Sequence, residues 1–459
     1  MANNNDAFIP ELWAMEGVEI LQEEMVMASL VHRDFENEIR MKGDIVNTRK
    51  PSEFNTRRKQ KGVDITVQDA EATNIQVPLD QELYVSFEID DNEASKSFQE
   101  LIPIYLRPAM MQLGRSADRA LLGRIHELLG TPSQRVGKLG GMTSATAKDY
   151  ILAARDRLNT TKAHQEGRNL VVSSASESSI LATELFIKAN ERGDGGDALE
   201  MARMGRILGF STFMDQNVNS VTDDATDRAE GTVTNALAAG GSGSQVVAIT
   251  GYEVIDGEYA TVAGNDQPTF ITASTAGAGD TTAVTLNEAN KFATLAGAVI
   301  KVYKAAVVDG AYAIGYDDDI KIDGFGTNLP PQTGQLIAFG TGASRRVYTI
   351  IDSWAVSTTQ HLILDRPLAV ALADDDSAFP GPSGSFNLSF HRNSIAMVNR
   401  PLVLPADRNG VSSAVSSGHG VSMRVTMQYD IKRGATVVKV DMLMGVAVLD
   451  SDLSCVILG

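Results

Sequence analysis

Two stretches decide the fold: FENEIRMKGDIVNTRKP, Phe35 to Pro51, and LDQELYVSFEIDD, Leu79 to Asp91. They frame a polar run with little core material. Leu83, Val85, Phe87 and Ile89 alternate with polar neighbours, the period of a half-buried strand. Ile39, Met41 and Ile45 alternate more loosely around Gly43. Paired, the two strands make a long hairpin with a large tip. About 14 residues per side at roughly 3.3 Å each reach ~45 Å from the body. A two-stranded ribbon is marginal alone in water, so it needs another surface to lie on. The tip carries Arg49, Lys50, Arg57, Arg58, Lys59 and Lys61, opposed only by Glu53. It reads either as a solvated basic loop or as a docking tip that meets acidic groups on an identical neighbour. Contact with phosphate is a third reading, disfavoured by the charge of the whole chain.

Outward from the hairpin, Pro10 precedes an amphipathic helix over Glu11 to Val31, with Leu12, Met15, Val18, Leu21 and Met25 at three-four spacing. After Asp91, a short helix is expected over Glu93 to Pro103, capped by Asp91 or Asn92. Pro108 opens a longer helix. Met110, Leu113, Ala117, Leu121, Ile125 and Leu128 form its apolar stripe, and Arg115, Asp118, Arg119 and Arg124 lie largely off it. Gly130 and Pro132 end it, after about 22 residues or roughly 33 Å. Mixed α/β patterning follows. Helices are expected over Thr146 to Leu158 and Ser176 to Asn190, the latter with Leu185, Phe186 and Ile187 among its apolar residues. Strands are expected at Asn169 to Ser173 and at Gly205 to Met214, the latter broken by Gly209. Ser385 to Phe390 and Ile395 to Leu404 resume mixed structure. Val421 to Tyr429 and Val437 to Leu449 read as paired strands, and Val456 to Leu458 closes the chain.

The 459 residues include 40 Lys and Arg against 58 Asp and Glu, a net charge of -18. Such a chain is repelled by a phosphate backbone, which argues against a general nucleic-acid binder. The charge is uneven: 21 acidic and 8 basic side chains fall between Asp215 and Pro380. Glycine and threonine rise there and helical patterning nearly vanishes. Short apolar runs recur between turns at Val246 to Ile249, Thr269 to Thr272, Val299 to Tyr303, Gln335 to Phe339, Arg346 to Ile351 and His361 to Leu364. The stretch therefore reads as an inserted module, a small β-barrel or sandwich. The runs Asp317 to Asp319 and Asp374 to Asp376 read as solvated loops.

A reaction centre is hard to find. No phosphate-binding loop, dinucleotide fingerprint or nucleophile elbow occurs. The six histidines (His32, His126, His164, His361, His391 and His419) lack metal-ligand spacing and read as surface or capping residues. Asp319, Lys321, Asp323 and Gly324 depart from a calcium loop, with lysine at a ligand position and Pro330 where the bidentate glutamate belongs. Cys455, the single cysteine, excludes an internal disulfide and reads as inertly buried. No catalytic, cofactor or metal site is assigned, and no segment is apolar and long enough to cross a membrane.

The order of parts resembles a family. An N-terminal arm, the Phe35 to Pro51 stretch, the polar hairpin, LDQELYVSFEIDD, a long helix with ADRALLGRI at Ala117 to Ile125, GFSTFMDQNV at Gly209 to Val218, HRNSIAMVNRPL at His391 to Leu402 and the late pair Tyr429-Asp430 look like a major capsid protein of a tailed bacteriophage, of the Hong-Kong-ninety-seven type. The inserted module resembles, by position, the insertion domain of podovirus coat proteins. The resemblance covers roughly residues 8 to 220 and 385 to 459.

It implies an α+β fold in these parts: N-terminal arm, 1–38; extended hairpin, 39–89; peripheral domain with the long helix, 90–130; axial α/β domain, 131–220 and 385–433; β-rich barrel-like insertion, 221–384; and C-terminal strands returning to the core, 434–459. It implies no enzyme and no cofactor, but self-assembly into pentamers and hexamers that form an icosahedral virion shell around double-stranded DNA, held without sequence-specific contacts, after assembly in the host cytoplasm. The implied partners are copies of itself, a scaffolding protein and portal during assembly, and a cement or decoration protein; no membrane is involved. The chain begins almost directly with the arm, which in that family implies a separate scaffold or none. Arg57, Arg58, Lys59 and Lys61 are the expected intersubunit contacts. A β-rich virion-surface or tail adhesin that binds host carbohydrate is the alternative.

Overall fold

A computed structural model describes residues 9–33, 45–50, 56–59, 61–62, 64–65, 67–68, 73–90, 105–129, 132–183, 204–221, 228–241, 243–277, 279–325, 330–405, 411–418 and 421–459. The chain forms two compact units. One comprises Met1–Gln22, Val31–Met111 and Ile395–Leu449; the other comprises Glu23–Leu30, Gln112–Ser394 and Asp450–Gly459.

The first unit is built on a five-stranded antiparallel sheet. Its central strand, Ala435–Val448, has 14 residues, enough for about 46 Å. One side pairs with Gln81–Asp90; the other pairs with Val421–Asp430 at one end and Ile395–Arg400 at the other. Val411–Gly418 adds to Val421–Asp430 as an outer strand. The helix Ile9–Glu24 contributes Trp13, Ala14, Val18 and Leu21 to the core, with Trp13 stacked 6.0 Å from Phe87.

The expected hairpin changes partners. Ile45–Lys50 pairs with Thr73–Pro78, in the register Ile45↔Pro78 to Lys50↔Thr73. The cleanly alternating strand at Leu83 to Ile89 lies instead in the five-stranded sheet. Alternation specifies a half-buried strand but not its neighbour, which here is the far-off Ala435–Val448. Ile39 and Met41 lie outside the described residues, as does the helix expected over Glu93 to Pro103.

In the second unit, a seven-stranded mixed sheet runs in the order Arg135–Gly137, Ser454–Leu458, Gly384–His391, Arg168–Val172, Phe210–Met214 and Arg206–Ile207, with Ser220–Val221 also on Gly384–His391. The helix Ala147–Thr160 buries Ala147, Ile151, Ala154 and Leu158, one helical face, against Leu170, Phe210, Cys455 and Ile457. The helix Ser174–Leu181 is capped by Ser173, whose Oγ accepts from the Ser176 amide at 3.3 Å. It ends before Leu185, Phe186 and Ile187, which lie outside the described residues. Gly209 (φ 93°) and Leu208 (φ 47°) make the tight turn between Arg206–Ile207 and Phe210–Met214. Of the segment 385–433, only the strand Gly384–His391 joins this sheet; the later strands belong to the five-stranded one. Likewise Ala435–Val448 and Ser454–Leu458 part into different sheets.

The inserted module is two closed six-stranded barrels rather than one. The first runs from Arg228–Val233 to Val299–Tyr303 and the second from Ala306–Val308 to Ser377–Pro380. Each has its own core: Val233, Val247, Ile271 and Val302 in the first; Ile322, Phe339, Tyr348 and Leu362 in the second. All six apolar runs named above are barrel strands. Ser244–Ile249 alternates exposed and buried residue by residue, as a barrel wall must.

Two helices also differ from expectation. The N-terminal helix stops at Glu24 and a short one, Met27–Leu30, follows. The break is held by Asp118, whose Oδ2 accepts the Val26 amide at 2.7 Å. Asp118 is fully buried rather than off the packed face, and burial first, then the Asp215 charge, holds its carboxyl well above the usual range. The long helix is Arg107–Gly123, and Ile125–Leu128 follows after a break. Arg124 is buried too, against expectation.

Candidate assembly interface

The ribbon is rooted in the first unit. Val77 and Leu79 at its base are fully buried against Ala396, Val398 and Leu443. Gly445 of the central strand lies so close that a Cβ there would sit 2.1 Å from the Pro78 carbonyl oxygen. Past this root, among the described residues, Ile45–Lys50 and Thr73–Pro78 form a two-stranded sheet of their own. At the tip Arg57, Arg58, Lys59 and Lys61 are exposed, and none bonds or ion-pairs with another described residue. Gly62 turns the chain at φ 87°. Ile65 is 76% and Val67 87% exposed. Four cations beside two bare branched side chains form a surface fit for an acidic partner with some apolar area.

The barrels are fastened to their own unit at many points. In the first, Glu288 pairs with the buried Arg135, Gln267 Nε2 donates to the Gly137 carbonyl at 2.9 Å, and Lys291 Nζ to that of Pro132 at 2.9 Å. In the second, the Thr349 hydroxyl donates to the Gly123 carbonyl at 2.9 Å and Arg366 to Glu127 at 2.9 Å. His126 Nδ1 donates to the same Gly123 oxygen at 2.7 Å, so this histidine, its side chain largely buried, caps the helix end as expected of a surface or capping residue. The two barrels share a cluster of Tyr259, Tyr303 and Phe379, over which the Arg345 guanidinium lies 4.2 Å from the Phe270 centroid.

Asp374 to Asp376 are exposed at a turn, and Asp317 and Asp318 are exposed while Asp319 is half-buried. Asp374 Oδ1 accepts from the Gly310 amide at 2.8 Å and Asp376 Oδ2 from the Ala373 amide at 2.7 Å. Asp319 pairs with His361, whose ring stacks on Trp354. Cys455 is buried and its thiol is pushed up to about 12 by burial. A cleft of about 440 Å³ lies beside Ser176, Ser220, Tyr303 and Ser385. Its hydroxyls serve one another: Ser220 and Ser385 lie 3.0 Å apart, as do Tyr303 and Ser383. Among the described residues no group of three or more His, Cys, Asp or Glu is placed to hold a metal, and no helix is long and apolar enough to cross a membrane.

No protein-family model matches the chain, and no curated protein is similar to it in sequence. Solved structures match it in backbone arrangement instead. One is that of Mycobacterium phage Che8, at TM-score 0.44 and 13% identity over 94% of this chain and 90% of that one. A second is the capsid of the cyanophage P-SCSP1u, at TM-score 0.44 and 10% identity over 95% and 88%. A third is the mature capsid of bacteriophage PhiM1, at TM-score 0.41 and 7% identity over 95% and 86%. All three are bacteriophage structures, and two are capsids by description.

Proposed function

We propose that this chain is the major capsid protein of a tailed bacteriophage. Copies assemble into pentamers and hexamers and close an icosahedral virion shell around double-stranded DNA. The observation that carries the reading is the ribbon. Its root is locked in a core, while its tip presents Arg57, Arg58, Lys59 and Lys61 with Ile65 and Val67 to nothing within the described chain. A segment built this way gains order from sister copies. The sequence order of arm, ribbon, long helix, α/β sheet and late strands supports the same reading, with the seven-stranded sheet as axial domain and the five-stranded sheet as peripheral domain. Many modest contacts repeated over a closed shell give large total stability. A mildly acidic remainder outside Asp215 to Pro380, 37 acidic against 32 basic side chains, also suits a container, because a strongly basic wall would grip the genome. Scaffold, portal and decoration proteins are the partners this role calls for, with assembly in the host cytoplasm.

The test is assembly. Replacing Arg57, Arg58, Lys59 and Lys61 together by glutamate is expected to leave a folded subunit that forms few shells by electron microscopy. Normal shells from that variant reduce the tip to a solvated loop. Trimeric fibres from the unaltered protein favour the adhesin instead.

A further inference from the structure

The five-stranded sheet guards its two edges unequally. Its outer strand on one side, Gln81–Asp90, carries Glu82, Glu88 and Asp90. Its outer strand on the other side, Val411–Gly418, reads VSSAVSSG, with no charge and no proline. An edge strand turns alternate N–H and C=O groups outward, and sheets commonly blunt such edges with charge, proline or a bulge. Here all three are missing. The register from Val411↔Gln428 to Gly418↔Val421 is unbroken over all eight residues, about 26 Å of straight edge. Among the described residues no strand pairs with its outer side. Apolar surface flanks it: Val415 is 37%, Val403 74% and Leu404 49% exposed. Val403 is held near this edge by its carbonyl, which accepts from Arg424 at 2.6 Å, and Arg424 is the cross-strand partner of Val415.

We propose that Val411–Gly418 pairs antiparallel with the same strand of a second copy, about a twofold axis normal to the sheet, joining two five-stranded sheets into one of ten strands. The proposal deepens the self-assembly reading and rests on it. The sequence itself argues for an identical partner. Across such an axis odd-numbered residues meet odd ones and even meet even, because opposed side chains share a face. Centred on Ala414, Ser412 meets Ser416, Val411 meets Ser417 and Ser413 meets Val415. Shifted to centre on Val415, Ser413 meets Ser417 and Ala414 meets Ser416. The V-S-S-x repeat makes either register small and uncharged throughout, and serines can bond across it. A self-paired edge is an isologous contact, which closes and leaves no strand to propagate.

Hydrogen exchange of the full-length protein tests this, with free subunits compared against assembled particles. The outward-facing, alternate amides of 411–418 are expected to exchange at least ten-fold more slowly on assembly. Val415 is exposed, so Val415→Lys and Val415→Glu should fold normally. Each alone sets like charges about the axis and is expected to assemble poorly, and an equal mixture of the two should restore assembly. Shells whose 411–418 amides exchange at the free-subunit rate overturn the pairing and leave the capsid reading standing. Protection without rescue by the mixture assigns the edge to a different strand and also overturns it. Dimers that protect these amides but never build shells uphold the pairing and sink the capsid reading.

Discussion

The carboxylate of Glu258 accepts the amide hydrogen of Ala305 at 2.9 Å, so one side chain of the first barrel holds the joint that leads to the second. Ile255 donates its amide to the other oxygen at 3.1 Å, and the Tyr252 hydroxyl donates as well. Burial pushes the Glu258 carboxyl up to about 7. Because the folded value is raised, the protonated form is bound more tightly by the folded chain. The resulting stability is fully present below the unfolded value near 4.5 and is lost as pH rises through about 7. At about 1.4 kcal/mol per unit, the change is up to about 3 kcal/mol. Glu258→Gln should flatten the thermal midpoint against pH between 4.5 and 7. A profile as steep as that of the unaltered protein refutes this role.

Asp441 is fully buried and faces two cations: Arg424 Nε at 2.9 Å and Lys439 Nζ at 3.1 Å. Arg424 is also its direct cross-strand neighbour. Removing the carboxylate leaves the largely buried Arg424 guanidinium without its partner, while the more exposed Lys439 keeps Glu82. Asp441→Ala should cost about 3–5 kcal/mol in urea unfolding. A loss below about 1 kcal/mol would mean the pair behaves as a surface one.

Gly445 has no room for a side chain because the Pro78 carbonyl stands where its Cβ would be. Gly445→Ala must displace the ribbon's root. The expected cost is about 1–3 kcal/mol, the range for overpacking. Faster proteolysis of residues 45–78 should accompany it. Unaltered stability and proteolysis would show that the root yields freely.

The Thr349 hydroxyl bonds the Gly123 carbonyl at the break in the long helix. Thr349→Val keeps the shape and deletes the bond, for an expected loss of about 1 kcal/mol. Gly123→Ala also drives a Cβ to 2.9 Å from Asp365 Cβ and should cost more. Equal losses from the two changes would contradict the packing argument.

The legible parts of the fold are those written in local periodicity. Val421 to Tyr429 alternates and is a strand; Ala147, Ile151, Ala154 and Leu158 recur helically and form a helix. The buried strand at Arg168–Val172 announced itself by the short apolar run Leu170 to Val172. Leu83 to Ile89 was legible as a strand but not as a partner of Ala435–Val448, because pairing over 350 residues leaves no local trace. The second barrel was hidden because only Lys304 and Ala305 separate Tyr303 from Ala306, with no shift of composition between them. Asp118 was not legible as a buried group because its donor, the Val26 amide, lies on backbone that side-chain patterns do not report; His126 donates to the Gly123 carbonyl, the capping role read for it. The basic tip was readable for the opposite reason: so many cations in a run with no apolar face leave water as the only local environment. The edge at Val411–Gly418 carried its signal in what it lacks.

Ser220–Val221 and Gly384–Ser385 are antiparallel neighbours in the seven-stranded sheet. The chain thus departs for both barrels and returns through a single doorway one strand-spacing wide. Both ends of the insertion are pinned side by side in the host sheet, and the barrels between them are tied back to the same unit by Glu288 on Arg135 and Arg366 on Glu127.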